Sequence, residues 1–247
     1  MTPDSTSLNN WATNVNKAVE DNDQGLVTSN SFLGVFYPSG FTSDNFGNNI
    51  VVPASHMMLR TIALSDQVSF PWFAPAGTRR GGITNASSTG YINSEGEFVS
   101  TALNEGQRDT LYTNKVNPIT FITGAGLVNF GQKTRFAGTS SLDRINVARL
   151  VIFLRSQLNK LARPFVFEPN DKITRDEIKA QAESLLLELV GNRAIFDFLV
   201  VCDESNNTPT RIDRNELYLD IAIEPVKAVE FIYIPLRLKN TGEIAGL

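Results

Sequence analysis

Histidine and cysteine are almost missing from this chain. His56 is the only histidine among 247 residues, and Cys202 the only cysteine. One histidine cannot build a histidine-based catalytic triad or a histidine-rich metal site. A packed or capping role is the plainer reading of His56. One cysteine excludes a disulfide framework, and its place at the end of an apolar run reads as a structural thiol in a reducing compartment. Positive charge is not in excess either. The 22 Lys and Arg are outnumbered by 26 Asp and Glu, for a net charge of −4 and a pI near 5.2. No long basic run is present, which argues against binding to free duplex nucleic acid. No apolar run approaches the ~20 residues a membrane-spanning helix needs. The residues after Met1 are polar and do not read as a secretory signal. That start has little structure flanking it, so the chain is expected to be a piece of a longer protein.

What remains is a hydrophobic content of 42%, enough for one full-sized core or one core plus a small appendage. The last fifty residues organise the rest. Ala194 to Cys202 is a short, nearly continuous apolar run, the pattern of a strand buried on both faces. Asp203 to Asp213 is dense in Asn, Asp, Ser, Thr and Pro and reads as a loop. Leu217 to Glu224 alternates, with Leu217, Leu219, Ile221 and Ile223 on one face. Ala228 to Leu238 reads as a third strand. Pro235 lies inside it and cannot donate to a ladder, so the strand belongs at an edge or carries a bulge. Such an edge can pair with another chain.

Upstream, Leu8 to Asp21 has the steps of a modest amphipathic helix, with Gly25 as its stop. Ser31 to Tyr37 and Ile50 to Pro53 read as extended, and Ala54 to Asp66 as a helix that Ser55 caps. Val68 to Gly82 has too much Pro and Gly for regular structure, and Ile83 to Phe98 reads as an exposed excursion or short hairpin. Asn104 and Gln107 have capping-box spacing at the start of a helix ending near Asn114. Pro118 opens a strand, Gly124 and Gly126 turn the chain, and Leu127 to Thr134 is strand-like. Ser140 is placed to cap a helix over Arg144 to Leu161, apolar on most sides and so buried on most sides. Thr174 and Glu177 have capping-box spacing before the stripe Ile178, Ala182, Leu185, Leu186 and Leu189, and Gly191 ends that helix. The fold class expected is α/β (α+β). A mixed β-sheet carries helices on both faces, and an antiparallel meander with an open edge strand closes the chain. One core domain over 1–247 is expected, with a helical lead-in at 1–30, an exposed excursion at 78–103 and a C-terminal edge strand and arm at 228–247. No repeat and no interior linker stand out.

Candidate chemistry is sparse. Gly124, Gly126 and Gly131 suggest a dinucleotide turn, but the spacing is GxGxxxxG and no helix opens directly after it. A tight turn needing positive φ is the alternative. Asp203, Glu204, Asp213 and Glu216 offer oxygen ligands for a hard cation, without the spacing of an EF-hand. They equally suit turn-forming side chains bonded to local backbone. Gly77 to Gly82, with Arg79 and Arg80, is either a small anion site or a polar loop that packs or makes an inter-subunit salt bridge. Lys172, Arg175 and Lys179 share one face of a helix start. They form either a solvated face or a contact for an acidic partner, which the helix dipole would favour modestly. No nucleophile, base and orienting group come together, so no catalytic residue, cofactor site or metal site is assigned.

Several separated segments, in order, resemble the contractile phage tail sheath family. Val52-Pro-Ala-Ser-His56 resembles the segment that opens a helix there. Pro71 to Gly77 with Arg80-Gly81 resembles its Ala-Pro-Ala-Gly loop. Gln107 to Tyr112 with Val116-Asn-Pro-Ile119 is similar to its LY…VNPI stretch. Val128 to Arg135 resembles its V-W-G-x-R-T stretch, with Phe130 in place of tryptophan and Gln132-Lys133 departing from it. Arg144 to Arg149 and Phe165 to Asn170 resemble its INVRR helix and FEPN connector. Asp203 to Thr208, Ile212-Asp213 and Ile221 to Lys227, with Glu230-Phe-Ile following, resemble its C-terminal domain. The matches run from about Ser31 to Lys239.

The resemblance implies a non-enzymatic structural subunit without cofactors. Its partners would be itself, in hexameric rings of a helical polymer, the tail tube protein, and baseplate and tail terminator proteins. Neither nucleic acid nor direct membrane insertion is implied. Such a subunit sits in the virion tail after assembly in the host cytoplasm, and contraction drives the tube through the host envelope. Terminal arms add strands to neighbours' sheets, a role the resemblance places on Val229, Phe231, Tyr233, Pro235 and Arg237. An attachment helix touches the tube, a role it places on Lys172, Arg175 and Lys179. The competing class is a nucleotide-binding α/β enzyme domain using Gly124 to Gly131. A bacteriocin or secretion-system sheath is a third reading.

Overall fold

Among the described residues the fold consists of three small sheets packed with helices, two of them long. The computed structural model describes residues 29–92 and 95–234. The helix expected over Leu8 to Asp21 lies outside these residues, as do Pro235 and Arg237.

The first sheet has the order β1 (Val35–Tyr37), β6 (Val116–Ile122), β7 (Gly126–Asn129). It is mixed: β1 runs parallel to β6, and β7 antiparallel to it. The second sheet has the order β3 (Asn49–Val52), β2 (Ser39–Ser43), β4 (Ser88–Ile92), β5 (Phe98–Ser100), all antiparallel. The polar stretch after Ile83 is therefore partly ordered into β4 and β5. The third sheet pairs β8 (Ile195–Val201) with β9 (Asp220–Pro225). The α+β expectation holds, with the strands split among three sheets.

Gly124 and Gly126 sit at φ +84° and +79° in the β6–β7 hairpin. That is the left-handed region glycine enters without a Cβ clash. Two buried asparagines lock this sheet to its surroundings. Asn117 donates to the carbonyls of Val35 and Lys133 at 3.0 and 2.8 Å, and its Oδ1 accepts from Lys133 N at 2.7 Å. Asn129 donates to the carbonyls of Pro75 and Gly131, both at 2.8 Å.

The helices are α1 (Ala54–Val68), α2 (Gly77–Arg80), α3 (Glu105–Thr113), α4 (Ile145–Ala162), α5 (Lys172–Gly191) and α6 (Pro209–Asp213). The Asn104–Gln107 capping box forms as expected, with bonds of 2.9 and 3.1 Å. Other helix ends differ. Pro53 is the N-cap of α1, and Ser55 lies inside the helix. Ser140 caps a short 3-10 turn at Ser141–Asp143, and α4 starts after Arg144. Asp171 caps α5 by accepting from Thr174 N at 2.9 Å, so that helix begins before Thr174. At its other end Arg193, at φ +61°, takes the left-handed place expected of Gly191.

The main core joins α4, α5 and the third sheet. Leu150 and Leu154 meet Ala182, Leu186 and Leu189, with Ile195 and Val200 beneath them and Ile221 and Ile223 alongside. Trp72 belongs to this core although its segment lacks regular structure. It is 6% exposed, donates from Nε1 to the carbonyl of Asn192 at 3.1 Å and stacks on Phe70. A bulky ring thus fixes an irregular loop by burial and one hydrogen bond.

Two burial expectations fail. Strand β8 is covered on one face only: Ile195 and Val200 are buried, whereas Phe196 and Leu199 are exposed. Helices lie against one side of the β8–β9 pair, and among the described residues nothing covers the other. On α4, expected to be buried on most sides, Ile152 is 54% exposed. Ala228 to Ile234, the described part of the expected third strand, has no strand partner among the described residues.

Candidate functional site

Among the described residues beyond Pro225 the chain keeps one sheet-like bond, from Val226 N to the carbonyl of Ala194 at 3.0 Å. Glu230 then turns inward. Its carboxylate receives both arms of Arg144, Nε to Oε1 at 2.6 Å and Nη2 to Oε2 at 3.0 Å. Tyr112 donates its hydroxyl to Oε1 at 2.8 Å, and Gln132 Nε2 adds a contact at 3.2 Å. Each donor is set by a different element. Tyr112 rides on capped α3, Gln132 follows β7, and Arg144 is the residue before α4. Asp143 holds the remaining Arg144 nitrogen, Nη1, at 2.8 Å. Lys133 lies 4.1 Å over the Tyr112 ring and donates to the Tyr112 carbonyl at 2.8 Å.

The electrostatics agree with the geometry. Burial pushes the Glu230 carboxyl up, but hydrogen bonds from Arg144 and Tyr112 outweigh it and leave the group below the usual glutamate value. Burial and the Glu230 charge raise the Tyr112 phenol well above the usual tyrosine range. Burial lowers Lys133, helped by the Arg144 charge. Glu230 is thus a charged, fully engaged anchor.

Around the anchor the segment is bare. Val229, Phe231, Ile232, Tyr233 and Ile234 are each more than two-thirds exposed. Phe196 and Leu199 add apolar surface on the uncovered face of β8–β9. A contiguous apolar run of this kind marks a surface that another molecule covers. Among the described residues the β8–β9 pair has no third strand, so both of its outer edges carry unpaired backbone groups.

The other sequence candidates fall elsewhere. Lys172 is exposed, but Arg175 is 6% exposed and donates to the carbonyl and side chain of Asn170 at 3.3 and 3.2 Å. It braces the start of α5 from within. Lys179 is half-buried, 4.0 Å from Glu183. The three are not one free basic patch. Asp203 bonds Ser205, and Glu216 pairs with Arg214 at 3.1 Å. Asn206 and Asn207 tie the loop to the carbonyls of Val201 and Tyr218. Among the described residues no three His, Cys, Asp or Glu side chains group as metal ligands. The Gly124–Gly126 turn joins two strands and opens no helix, which removes the basis of a nucleotide site. His56 is exposed on α1, and Cys202 is buried with its thiol pushed up by burial. Sequence reading missed the Glu230 anchor. A glutamate between Val229 and Phe231 carries no local sign of a partner.

Comparisons with known proteins converge. Residues 138–239 match the phage tail sheath C-terminal domain. The tail sheath protein of Vibrio phage KVP40 is 32% identical over 249 residues, covering 97% of this chain and 35% of that protein. That of Enterobacteria phage T4 is 30% identical, covering 98% of this chain and 35% of that protein. The chain therefore spans about a third of the length of these relatives. Among solved structures, the sheath complex of the PVC extracellular contractile injection system, contracted, superposes with a TM-score of 0.76 at 20% identity, over 96% of this chain and 62% of that one. The contracted helical sheath of the anti-feeding prophage gives 0.73 at 20% identity, over 86% and 57%.

Proposed function

As a member of the tail sheath family, with the family's C-terminal domain at residues 138–239, this chain is, we propose, the joining core of a contractile tail sheath subunit. It is a structural and not a catalytic part, working in the virion tail after assembly in the host cytoplasm. Copies stack as hexameric rings in a helical polymer around the tail tube, with baseplate and tail terminator proteins at the ends. A sheath stores free energy in an extended lattice and releases it as interfaces shift, so a subunit of this kind needs no cofactor. A related contractile injection system is the nearest variant of this reading, and the neighbouring genes distinguish the two.

One observation carries the proposal. A two-stranded sheet with open edges stands beside an exposed apolar segment that is pinned at a single residue, Glu230. Strand addition between copies uses both features: main-chain bonds hold the link while side-chain surfaces slide. Val229, Phe231, Tyr233, Pro235 and Arg237 form the arm that reaches a neighbour. Lys172 and Lys179 face acidic residues of the tube, and Arg175 shapes the helix start that presents them.

The test is negative-stain electron microscopy of the full-length gene product. Striated hollow cylinders are expected, and deletion from Val229 onward should abolish them. Monodisperse particles that bind a nucleotide tightly would overturn the reading. For the tube contact, Lys172→Glu with Lys179→Glu should weaken co-sedimentation with tubes in a salt-dependent way. Unchanged co-sedimentation would remove that part of the proposal.

A further inference from the structure

Beside the Glu230 anchor lies an open cavity of about 650 Å³. Its walls come from segments far apart in sequence: the Trp72 to Arg80 loop, α3, the end of β7, the turn after α5, and residues 226–231. These segments bring together Arg79, Arg80, Arg108, Arg193 and Lys227. None of the five forms an ion pair among the described residues. Two are held by ring faces, which position a guanidinium without neutralising it: Arg80 lies 4.7 Å over Phe73, and Arg108 5.5 Å over Phe130. Arg80 also donates to the carbonyl of Ala74 at 3.3 Å. Glu105 and Asp109, which form no ion pair among the described residues, line the same cavity, and the third carboxylate, Glu230, is engaged by Arg144. Positive charge is in excess there, on a chain whose net charge is −4. The side chains sense one another: burial lowers Arg80, and the Arg79 and Arg193 charges lower it further.

We propose that this arginine cleft receives an acidic polypeptide segment from a second copy of the chain. Guanidinium groups suit carboxylates through paired N–H donors. Gln132 and Asn146, 3% and 4% exposed, also contribute to the cleft wall. The occupant is a second copy because one wall, residues 226–231, runs directly into the exposed arm. A neighbour that engages the arm has its own surface at the mouth of the cleft. The proposal rests on the sheath reading and adds an electrostatic contact to strand addition.

The experiment uses the full-length gene product. Arg79→Glu with Arg193→Glu changes two exposed side chains, so the melting temperature should stay within a few degrees. Sheath yield should fall at least tenfold, while wild-type assembly should depend on salt. In parallel, Arg79→Lys and Arg193→Lys protein is assembled from mixed 14N and 15N batches and treated with a zero-length carbodiimide. Mixed-isotope crosslinks from positions 79 or 193 to Asp or Glu peptides are expected. Wild-type yield and salt response in the double reversal, or crosslinks within one isotope only, would overturn the cleft while leaving the sheath reading intact. Failure of the wild type to assemble at all would count against both. Micromolar binding of inorganic phosphate to unassembled protein, lost in the double reversal, would replace the polypeptide with a free anion.

Discussion

Arg144 grips Glu230 with both arms, at 2.6 and 3.0 Å, across 86 residues of sequence. The pair is largely shielded, with side-chain exposures of 27% and 16%. Fork geometry to a carboxylate is among the stronger hydrogen-bonded contacts available to a protein. It fixes the point at which the last described segment leaves the body, and leaves the residues beyond it free to meet a partner.

Glu230→Gln keeps the shape and removes the charge. Loss of charge-assisted bonds should cost about 1–3 kcal/mol. Hydrogen exchange should report this as faster exchange confined to residues 226–234, with the α4–α5 core unchanged. Equal exchange in that segment would show that the anchor does not hold it.

Acid should release the same segment. The folded value of Glu230 is depressed, so its contribution is complete above the unfolded value of roughly 4.3 and is lost as pH falls through the lower folded value. Proteolysis between 226 and 234 by an acid-active protease should rise below about pH 4 in the wild type. Glu230→Gln should be cleaved readily and without that pH step.

Helix caps give a local test. Asp171→Ala removes the acceptor for Thr174 N and should destabilise the protein by about 1 kcal/mol in denaturant melts. Ser55→Ala should change nothing measurable, because Ser55 makes no cap. Equal effects would contradict the assigned helix starts.

Leucines separate folding from assembly. Leu186 is fully buried between α4, α5 and the third sheet, so Leu186→Ala should cost about 2–5 kcal/mol. Leu199 is 62% exposed on the uncovered face of β8. Leu199→Ser should leave the melting temperature of the unassembled protein nearly unchanged and reduce sheath yield. A strong stability loss at Leu199 would mean that the face is covered within one subunit.

Local patterns were legible without a structure. The Asn104–Gln107 box, the Gly124 to Gly126 turn, the alternation through Ile221 and Ile223, and the stripe Ile178, Ala182, Leu186 and Leu189 all appear where their spacing places them. Each depends on backbone geometry within a few residues: a helical turn, a pleat or a positive φ. The separated family motifs were equally legible, since they are short strings in order. Contacts between distant segments were not. Glu230 meets Arg144, Gln132 and Tyr112 across 86, 98 and 118 residues. Arg175 reads as a surface charge until Asn170 is seen to enclose it. Trp72 reads as part of a loop until Asn192 accepts its N–H. Whether a polar side chain turns inward depends on which partners offset its desolvation, and only the assembled tertiary structure brings those partners within reach.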